Sequence, residues 1–480
     1  MKAAGSGDVV RSDIPARLDA LAWSPWHRRV VVALGITWIL DGLEASLIAN
    51  LAPTLEDERT LGLAAAQIGL TNTVYLVGQV FGALLFGRLT DQYGRKKLFL
   101  VTLGLYLGAT ALSGLAPTFA VFLVLRFLAG AGIGGEYSAI NSAIDELVPA
   151  RLRGRIDLAI NGSYWIGVML GAGLTLIMLD PRWVPVELGW RMVFGLGALL
   201  GLAILLVRRD VPESPRWLLL RGRHAEAEAV MVTIESHALT PRVSLVTVTA
   251  HRVVEIAVTR GASAAHIAWT LLRRYPKRTA LGLALMIAQA FFYNAIFFSY
   301  GLILTHFHGV RPERTGLYIV PFAVGNFLGP VLLGPLFDRW GRRTMIPLTY
   351  AVSGVLLLAT GGLFLAGALD AVSQTAAWCC VFFFASAAAS SAYLTVSELF
   401  PVEMRGMAIA IFYAVATGGG AIAPLVFGEI VASGDARSLV IGYAFASALM
   451  LVAAVVARVY GVAAEGRSLE ALVEADGGEA

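Results

Sequence analysis

Twelve long apolar runs, at approximately 30–52, 67–89, 97–116, 118–145, 155–179, 190–207, 279–305, 315–337, 344–367, 374–397, 405–431 and 438–460, fix what this chain can become. A hydrocarbon core is crossed by about 20 apolar residues in a helix, so each run suffices for one crossing. In lipid, every backbone N–H and C=O must be satisfied within the span, which leaves helices or a closed barrel. Barrel strands would alternate over about ten residues, and these runs do not. With 57% hydrophobic and 15% charged residues and a mean hydropathy of +0.72, the chain is too apolar for an ordinary soluble enzyme of 480 residues.

The polar stretches divide the chain into an N-terminal segment (1–29), a first bundle (30–207), a linker with short helices (208–278), a second bundle (279–460) and a tail (461–480). Residues 1–29 lack a short apolar core followed by a small-residue cleavage site, so the first span is expected to be retained. The tail, acidic and poor in large apolar residues, is expected to be disordered or a frayed helix. With the N-terminus inside, the inner segments hold about 30 of the 37 basic residues and the outer ones about 6, which predicts a cytoplasmic-membrane protein with both termini cytoplasmic. The net charge of +4 reflects that topology and not nucleic-acid binding. Cys379 and Cys380 are adjacent within a span and read as packing residues.

The chain repeats itself. "GRLTDQYGRKKLFL" (87–100) has a counterpart in "GPLFDRWGRRTMIP" (334–347). Adding 247 to Gly78, Gly82, Gly87, Asp91, Gly94 and Arg95 gives Gly325, Gly329, Gly334, Asp338, Gly341 and Arg342. "ELVPARLRG" (146–154) and "ELFPVEMRG" (398–406) match at an offset of 252, and a change in loop or helix length accommodates the five-residue shift. The expected fold is therefore all-α, with twelve membrane helices in two pseudo-symmetric six-helix bundles. Parallel halves of this kind place a solute site where they meet and expose it alternately by rocking. Each motif falls at the inner turn between the second and third helices of its half. Its glycines permit close helix approach, its basic residues hold the turn inside, and Asp91 or Asp338 can pair with them or sit at a helix N-terminus. Contacts made only while the inner ends are together would latch the outward-open state; a plain topological anchor would need neither the Asp nor the fixed spacing.

At these residues the sequence resembles the major facilitator superfamily, nearly end to end. The G-x-x-x-D-x-x-G-R-[KR] signature occurs twice. "RFLAGAGIGGEYSAINSAIDELVPARLRG" resembles the fourth helix and following loop of sugar porters and metabolite:proton symporters, and "PESPRWLLLRGRHAEAE" is similar to the segment after the sixth helix of sugar porters. The resemblance implies an inner salt-bridge network joining Glu213 and Arg216 with Arg95, Glu146, Arg153, Arg342, Glu398 and Arg405.

Charge within a span costs about 2.5–3.5 kcal/mol on insertion scales, which makes such residues functional candidates. "ILDGLEASL" puts Asp41 and Glu44 three residues apart in the first span, so on one face, and the fourth carries Arg126 and Glu136. A guanidinium favours the charged carboxylate and burial the neutral acid, so Asp41 beside Arg126 would bind and release a proton as their separation changes. A static ion pair would account for Arg126 and one acid only. The resemblance agrees, because proton symporters carry an acid in the first helix and an arginine in the fourth. Glu136, in "GIGGEYS", resembles the Gly-Gly-Glu of metabolite:proton symporters and is a candidate for the cavity. In "AQAFFYNAIFFSY", Gln289, Tyr293, Asn294 and Tyr300 offer amides and phenols to a hydroxylated or carboxylated solute, or to neighbouring helices; the sugar-porter seventh helix carries a comparable Gln and Asn. Absent are Gln-x-x-[ST] in the fifth span ("INGSYWIGV"), Gly-Pro-x-x-Trp in the tenth ("SSAYLTVSELFP") and the Gly-Pro element of drug antiporters, which argues against a sugar substrate and for uptake over drug export.

"GAGIGG" (130–135) matches a dinucleotide fingerprint but lies inside a span with no preceding strand, and reads as close helix packing. No Gly-Lys dipeptide occurs, so the phosphate-binding loop is absent and the chain cannot itself be a P-loop ATPase; the energy is expected to come from a gradient, or from none. His306 and His308 read as solvated loop residues. No enzyme motif, cofactor or metal is called for. The expected partners are a small-molecule substrate, protons and the lipid bilayer, without nucleic acid, for a monomer doing proton-coupled symport of a small polar or anionic metabolite. Uniport, antiport and a non-transporting sensor are the alternatives.

Overall fold

The computed structural model describes residues 9–21, 23–63, 65–179, 182–208, 213–238, 254–257, 264–310, 315–401, 404–423, 426–427, 430, 433–467 and 472. The first half consists of α2 (Pro25–Glu56), α3 (Ala65–Tyr93), α4 (Arg95–Ser113), α5 (Phe119–Leu147), α6 (Arg153–Gly162) with α7 (Tyr164–Met178) as one span, and α8 (Val186–Arg208). The second consists of α12 (Pro276–His308), α13 (Thr315–Arg339), α14 (Arg342–Leu365), α15 (Ala371–Leu399), α16 (Arg405–Gly420) and α17 (Ala436–Tyr460). These are the twelve expected membrane helices, in two sets of six, and the protein is an integral membrane protein. Among the described residues, nine helical segments are by themselves long and apolar enough to cross a bilayer.

The halves repeat in their contacts. A Cβ on Gly78 or Gly82 of α3 would lie 2.3 or 1.9 Å from the carbonyl oxygens of Phe127 and Ala131 on α5. One on Gly325 or Gly329 of α13 would lie 3.1 or 1.9 Å from those of Cys379 and Phe383 on α15, which are Phe127 and Ala131 advanced by 252. A Cβ on Gly130 or Gly134 would lie 2.1 or 2.0 Å from the carbonyl oxygens of Tyr75 and Gln79, so "GAGIGG" is a helix-packing stripe.

The helix starts that lead α5 and α15 into the membrane correspond too. Thr118 caps α5 by accepting from Val121 N at 3.4 Å, and Asp370 (118 + 252) caps α15 by accepting from Ser373 N at 2.7 Å within a reciprocal capping box. The Ser373 side-chain and backbone hydrogen bonds hold the Asp370 carboxyl below its usual range.

The halves meet along α3 with α16 and along α6–α7 with α13. The break at Ser163 separates α6 from α7; its Oγ donates to Gly35 O (2.9 Å) and Ile160 O (2.6 Å), tying the break to α2.

At the end carrying the repeated charged turns, α9 (Pro215–Leu220), α10 (His224–Ala238) and α11 (Ala264–Arg274) form a linker layer. The N-terminal segment docks on it, which its polar composition did not announce. β1 (Val9–Ser12) pairs antiparallel with β2 (Val254–Ala257), Val9 opposite Ala257. In α1 (Ile14–Ala20), Arg17 forks onto Glu235 (2.9 and 2.7 Å) and also meets Glu228 (2.7 and 2.9 Å); these partners hold the guanidinium above its ordinary pKa. Of the described tail residues, Ala464 and Leu472 are buried, and Arg278 Nη2 donates to Leu472 O at 2.6 Å.

Candidate functional site

A cavity of about 220 Å³ lies between the halves, at mid-length of the helices. The first half lines it with Trp38 and Asp41 of α2, Tyr75 and Gln79 of α3, Asn161 of α6 and Trp165 of α7. The second half contributes Gln289, Tyr293 and Asn294 of α12, Ser386 and Tyr393 of α15, and Tyr413 of α16. Contacts between the halves cross the cavity: Tyr413 Oη donates to Gln79 Oε1 (3.2 Å), Trp38 meets Tyr393 edge-on, and Trp165 inserts among Tyr293, Phe297 and Phe322 with ring centroids 5.6–5.9 Å apart. Backbone proximity sets the wall. A Cβ on Gly42 would stand 1.8 Å from Tyr164 O, and one on Gly167 1.7 Å from Ile39 O, so α2 and α7 touch on both sides of Asp41.

The two acids of the first span part company. Three residues advance a helix by about 300°, which leaves about 60° between their directions. Asp41 lines the cavity, whereas Glu44 faces α4 and α5, so the expectation of a single shared face is corrected. Arg126 pairs with Glu44, not with Asp41: its Nη1 donates to Glu44 Oε1, which also accepts from Thr110 Oγ1 at 3.1 Å. Nε and Nη2 of Arg126 donate to Ser113 Oγ at 3.2 and 3.0 Å, and the guanidinium lies over the rings of Phe194 and Phe122 at 4.9 and 5.9 Å. Pair and partners are fully enclosed, the environment in which an ion pair is costly to form and more costly to break.

Of the other expected cavity residues, Gln289, Tyr293 and Asn294 line it, and Tyr293 Oη donates to Asn326 Oδ1 at 2.8 Å. Glu136 and Tyr300 stand outside the lining. Glu136 is buried on α5 beside Gly135, whose missing side chain makes room for Phe86 and Thr102. Tyr300 lies a turn beyond Phe297, where its hydroxyl donates to Tyr318 O (2.8 Å) and Thr375 Oγ1 (3.3 Å) and its ring lies 4.7 Å from that of Trp378, tilted by 40°. It ties the second half to itself.

At the charged end, one chain of ionic contacts runs from half to half. Arg216 reaches Asp19 (3.3 Å); Asp19 reaches Arg153 (3.7 Å); Arg153 reaches Glu398 (3.6 Å); Glu398 accepts from Arg342 (3.1 Å), which also binds Asp338 (2.8 Å). Asp338 then accepts from Gly154 N (3.1 Å) and Arg155 N (3.0 Å), the open N–H groups at the start of α6 in the other half. Buried Arg405 donates to Phe400 O at 3.1 Å. In the first-half motif Gly87 is buried in α3 and Gly94 turns at φ +100°, as Gly341 does at +84°. The side chains of Asp91, Arg95 and Glu146 lie outside the described residues.

Sequence reasoning missed two members of this end. Asp19 gave no motif signal. Glu465 was findable, because 213 + 252 = 465. Glu213 stands 2.3 Å from where a Gly94 Cβ would be and accepts from Lys96 N (3.2 Å); Glu465 stands 2.6 Å from that of Gly341 and accepts from Arg342 N (3.3 Å). Each carboxylate thus closes the turn of its own half and satisfies an open helix N-terminus. The aromatic lining was also missed, since Trp and Tyr within apolar spans look like packing until the halves are assembled.

The family described as Sugar (and other) transporter matches residues 44–475. The chain belongs to that family of major facilitator transporters. The niacin transporter NiaP of Acinetobacter baylyi is 26% identical to this transporter over 461 residues, covering 96% of this chain and 99% of the relative. The 4-hydroxybenzoate transporter PcaK of Pseudomonas aeruginosa is 28% identical over 361 residues, covering 74% of this chain and 75% of the relative. Among solved structures, the proton:xylose symporter XylE bound to 6-bromo-6-deoxy-D-glucose superposes with a TM-score of 0.76 at 20% identity, over 93% of this chain and 98% of XylE. This transporter shares that fold, and its family comprises transporters and not enzymes.

Proposed function

We propose that the transporter is a proton-coupled symporter of the plasma membrane that takes up a small, polar, single-ring metabolite by alternating access. The observation that carries this reading is the division of labour on α2, where Asp41 lines a cavity of solute size while Glu44, one turn on, is paired with Arg126 outside that lining. A proton that neutralises Glu44 releases Arg126 from its partner, and rocking of the halves changes the hydration of the pair, so protonation and conformation are linked. The charged end faces the cytoplasm together with both termini, and its closure from Arg216 to Asp338 shuts the inner route. Opening requires the Arg153–Glu398 contact and the Asp338 contacts with α6 to break together. Aromatic walls fit a planar ring better than a sugar, and the names of two relatives, for niacin and 4-hydroxybenzoate, are those of single-ring compounds.

The test is uptake into proteoliposomes. The wild type accumulates a labelled ring solute when an inward proton gradient is imposed, and Glu44→Gln equilibrates or exchanges solute without accumulating it. Accumulation by Glu44→Gln as by wild type removes Glu44 from coupling; saturable binding with no flux in either identifies a sensor; flux indifferent to the gradient identifies a uniporter.

A further inference from the structure

The last helix of the linker layer carries two apolar faces, and the bundle covers one of them. In α11, Ile267 and Leu271 are buried where the helix packs on α12 and α16. Ala265, Trp269 and Leu272 fall within about 60° of one another on the helix, about 150° from the buried pair. There Trp269 and Leu272 stand 59% and 61% exposed. One residue separates α11 from the membrane helix α12, and Thr279 Oγ1, in the first turn of α12, donates to Leu271 O at 2.7 Å. The last turn of α11 therefore lies beside the first turn of α12 and not in line below it, with the buried Tyr275 ring edge-on to Phe400 in the corner. Resting on the flank of two membrane helices at their charged ends, α11 turns Trp269 and Leu272 away from the bundle at the border of the bilayer. Charge has gathered at the same place. Arg273, Arg274 and Lys277 are exposed, whereas Arg278 turns inward to Leu399 O and Leu472 O. No Asp or Glu occurs between Glu255 and Glu313, and among the described residues none of the three exposed cations has a carboxylate within ion-pair distance. Elsewhere at this end exposed rings recur at matching repeat positions, Tyr93 and Trp340, beside the basic turns, as an aromatic belt at the headgroup level requires.

We infer that this face of α11 is a docking surface for anionic phospholipids of the leaflet at the charged end. Trp269 and Leu272 enter the boundary between headgroups and acyl chains, and Arg273, Arg274 and Lys277 meet the lipid phosphates. An indole and an isobutyl group beside a row of cations is the composition that holds a helix in the interfacial plane, and each cation near an anionic surface adds to the attraction. Because α11 packs on α12 and α16, both of the second half, the contact ties that half and the linker layer to one leaflet.

The test is fluorescence quenching in the full-length protein, reconstituted in phosphatidylcholine vesicles with a fixed minor fraction of phosphatidylglycerol. Each lipid in turn carries bromine at a shallow acyl position, at the same brominated mole fraction. The chain has ten tryptophans, so the Trp269 signal is the difference between wild type and Trp269→Phe, with Trp269→Leu as a second reference; an exposed position tolerates both. Trp269 is expected to be quenched by either brominated lipid, about threefold more by phosphatidylglycerol than by phosphatidylcholine, and to be shielded from acrylamide in the water. Arg273→Gln combined with Lys277→Gln brings the two lipids to parity while quenching by phosphatidylcholine persists. A Trp269 signal that acrylamide reaches and neither lipid does overturns the inference, since the face then looks into water. A signal reached by none of the quenchers overturns it too, in favour of a protein partner. Equal quenching by the two lipids in wild type overturns the recognition of anionic headgroups, and a preference that survives in the double variant removes it from these side chains. The wild-type comparison decides the matter even where the double variant fails to fold.

Discussion

The two halves share a backbone plan and differ in what they bury. Arg126, advanced by 252, becomes Trp378; Asp41 and Glu44, advanced by 247, become Ala288 and Phe291. Where the first half encloses an ion pair held by Thr110 and Ser113, the second encloses neutral contacts: Tyr293 with Asn326, Tyr300 with Thr375 and Trp378. The glycine seams, by contrast, are nearly interchangeable, as are the Gly94 and Gly341 turns with Glu213 and Glu465 behind them. The seam geometry is thus shared, and among the described residues the ion pair enclosed at mid-helix belongs to the first half. A duplicated scaffold can keep its backbone contacts, which depend on glycine and a carbonyl, while one copy gains chemistry and the other becomes a passive wall.

The largest test of this asymmetry is removal of one member of the buried pair. Arg126→Ala strands Glu44 and is expected to cost about 3–5 kcal/mol, whereas Tyr293→Phe in the second half costs about 1 kcal/mol; thermal unfolding in detergent ranks them, and equal losses would end the claim that charge distinguishes the halves. The symmetric part is probed by Gly82→Val and Gly329→Val, whose Cβ atoms would stand 1.9 Å from Ala131 O and Phe383 O. Both are expected to destabilise by about 1–3 kcal/mol or more and by matching amounts, checked by folded yield and melting temperature.

At the latch, Asp338→Asn weakens the hold on α6 and on Arg342, raising the share of molecules open at the charged end about tenfold, a change of about 1.4 kcal/mol. Alkylation of a cysteine placed in the cavity wall from that side reports it, and an unchanged rate would reduce the motif to a topological anchor. The smallest effect concerns the caps at the opposite end. Asp370 has its carboxyl value lowered by Ser373, so its contribution is complete above the unfolded aspartate value of about 3.9 and is lost as pH falls below that through the depressed native value. Thr118 does not titrate. Amide exchange at the first turn of α15 should therefore rise relative to α5 on acidification, and parallel behaviour would contradict the assignment.

Much of this was legible in the chain. Asp338 was expected to pair with a basic residue or sit at a helix N-terminus, and it does both, binding Arg342 and the start of α6. The pairing of Arg126 was not: residues 41 and 44 are equally suited by spacing, and the 60° between them chose Glu44 for α5 and left Asp41 to the cavity. Asp19 could not be found at all, because it reaches Arg153 and Arg216 only after β1 pairs with a strand more than 240 residues away.

The sequence by itself determined that the chain crosses a membrane as helices, that it is a tandem repeat and that its charge gathers at one set of turns. These are consequences of transfer free energy and of glycine spacing, both local to the chain. Only the tertiary structure decided which acid meets Arg126, which aromatic faces meet around a cavity, and how the N-terminal segment and tail close the charged end. Those outcomes depend on directions and distances between helices remote in sequence, which no single stretch of residues encodes.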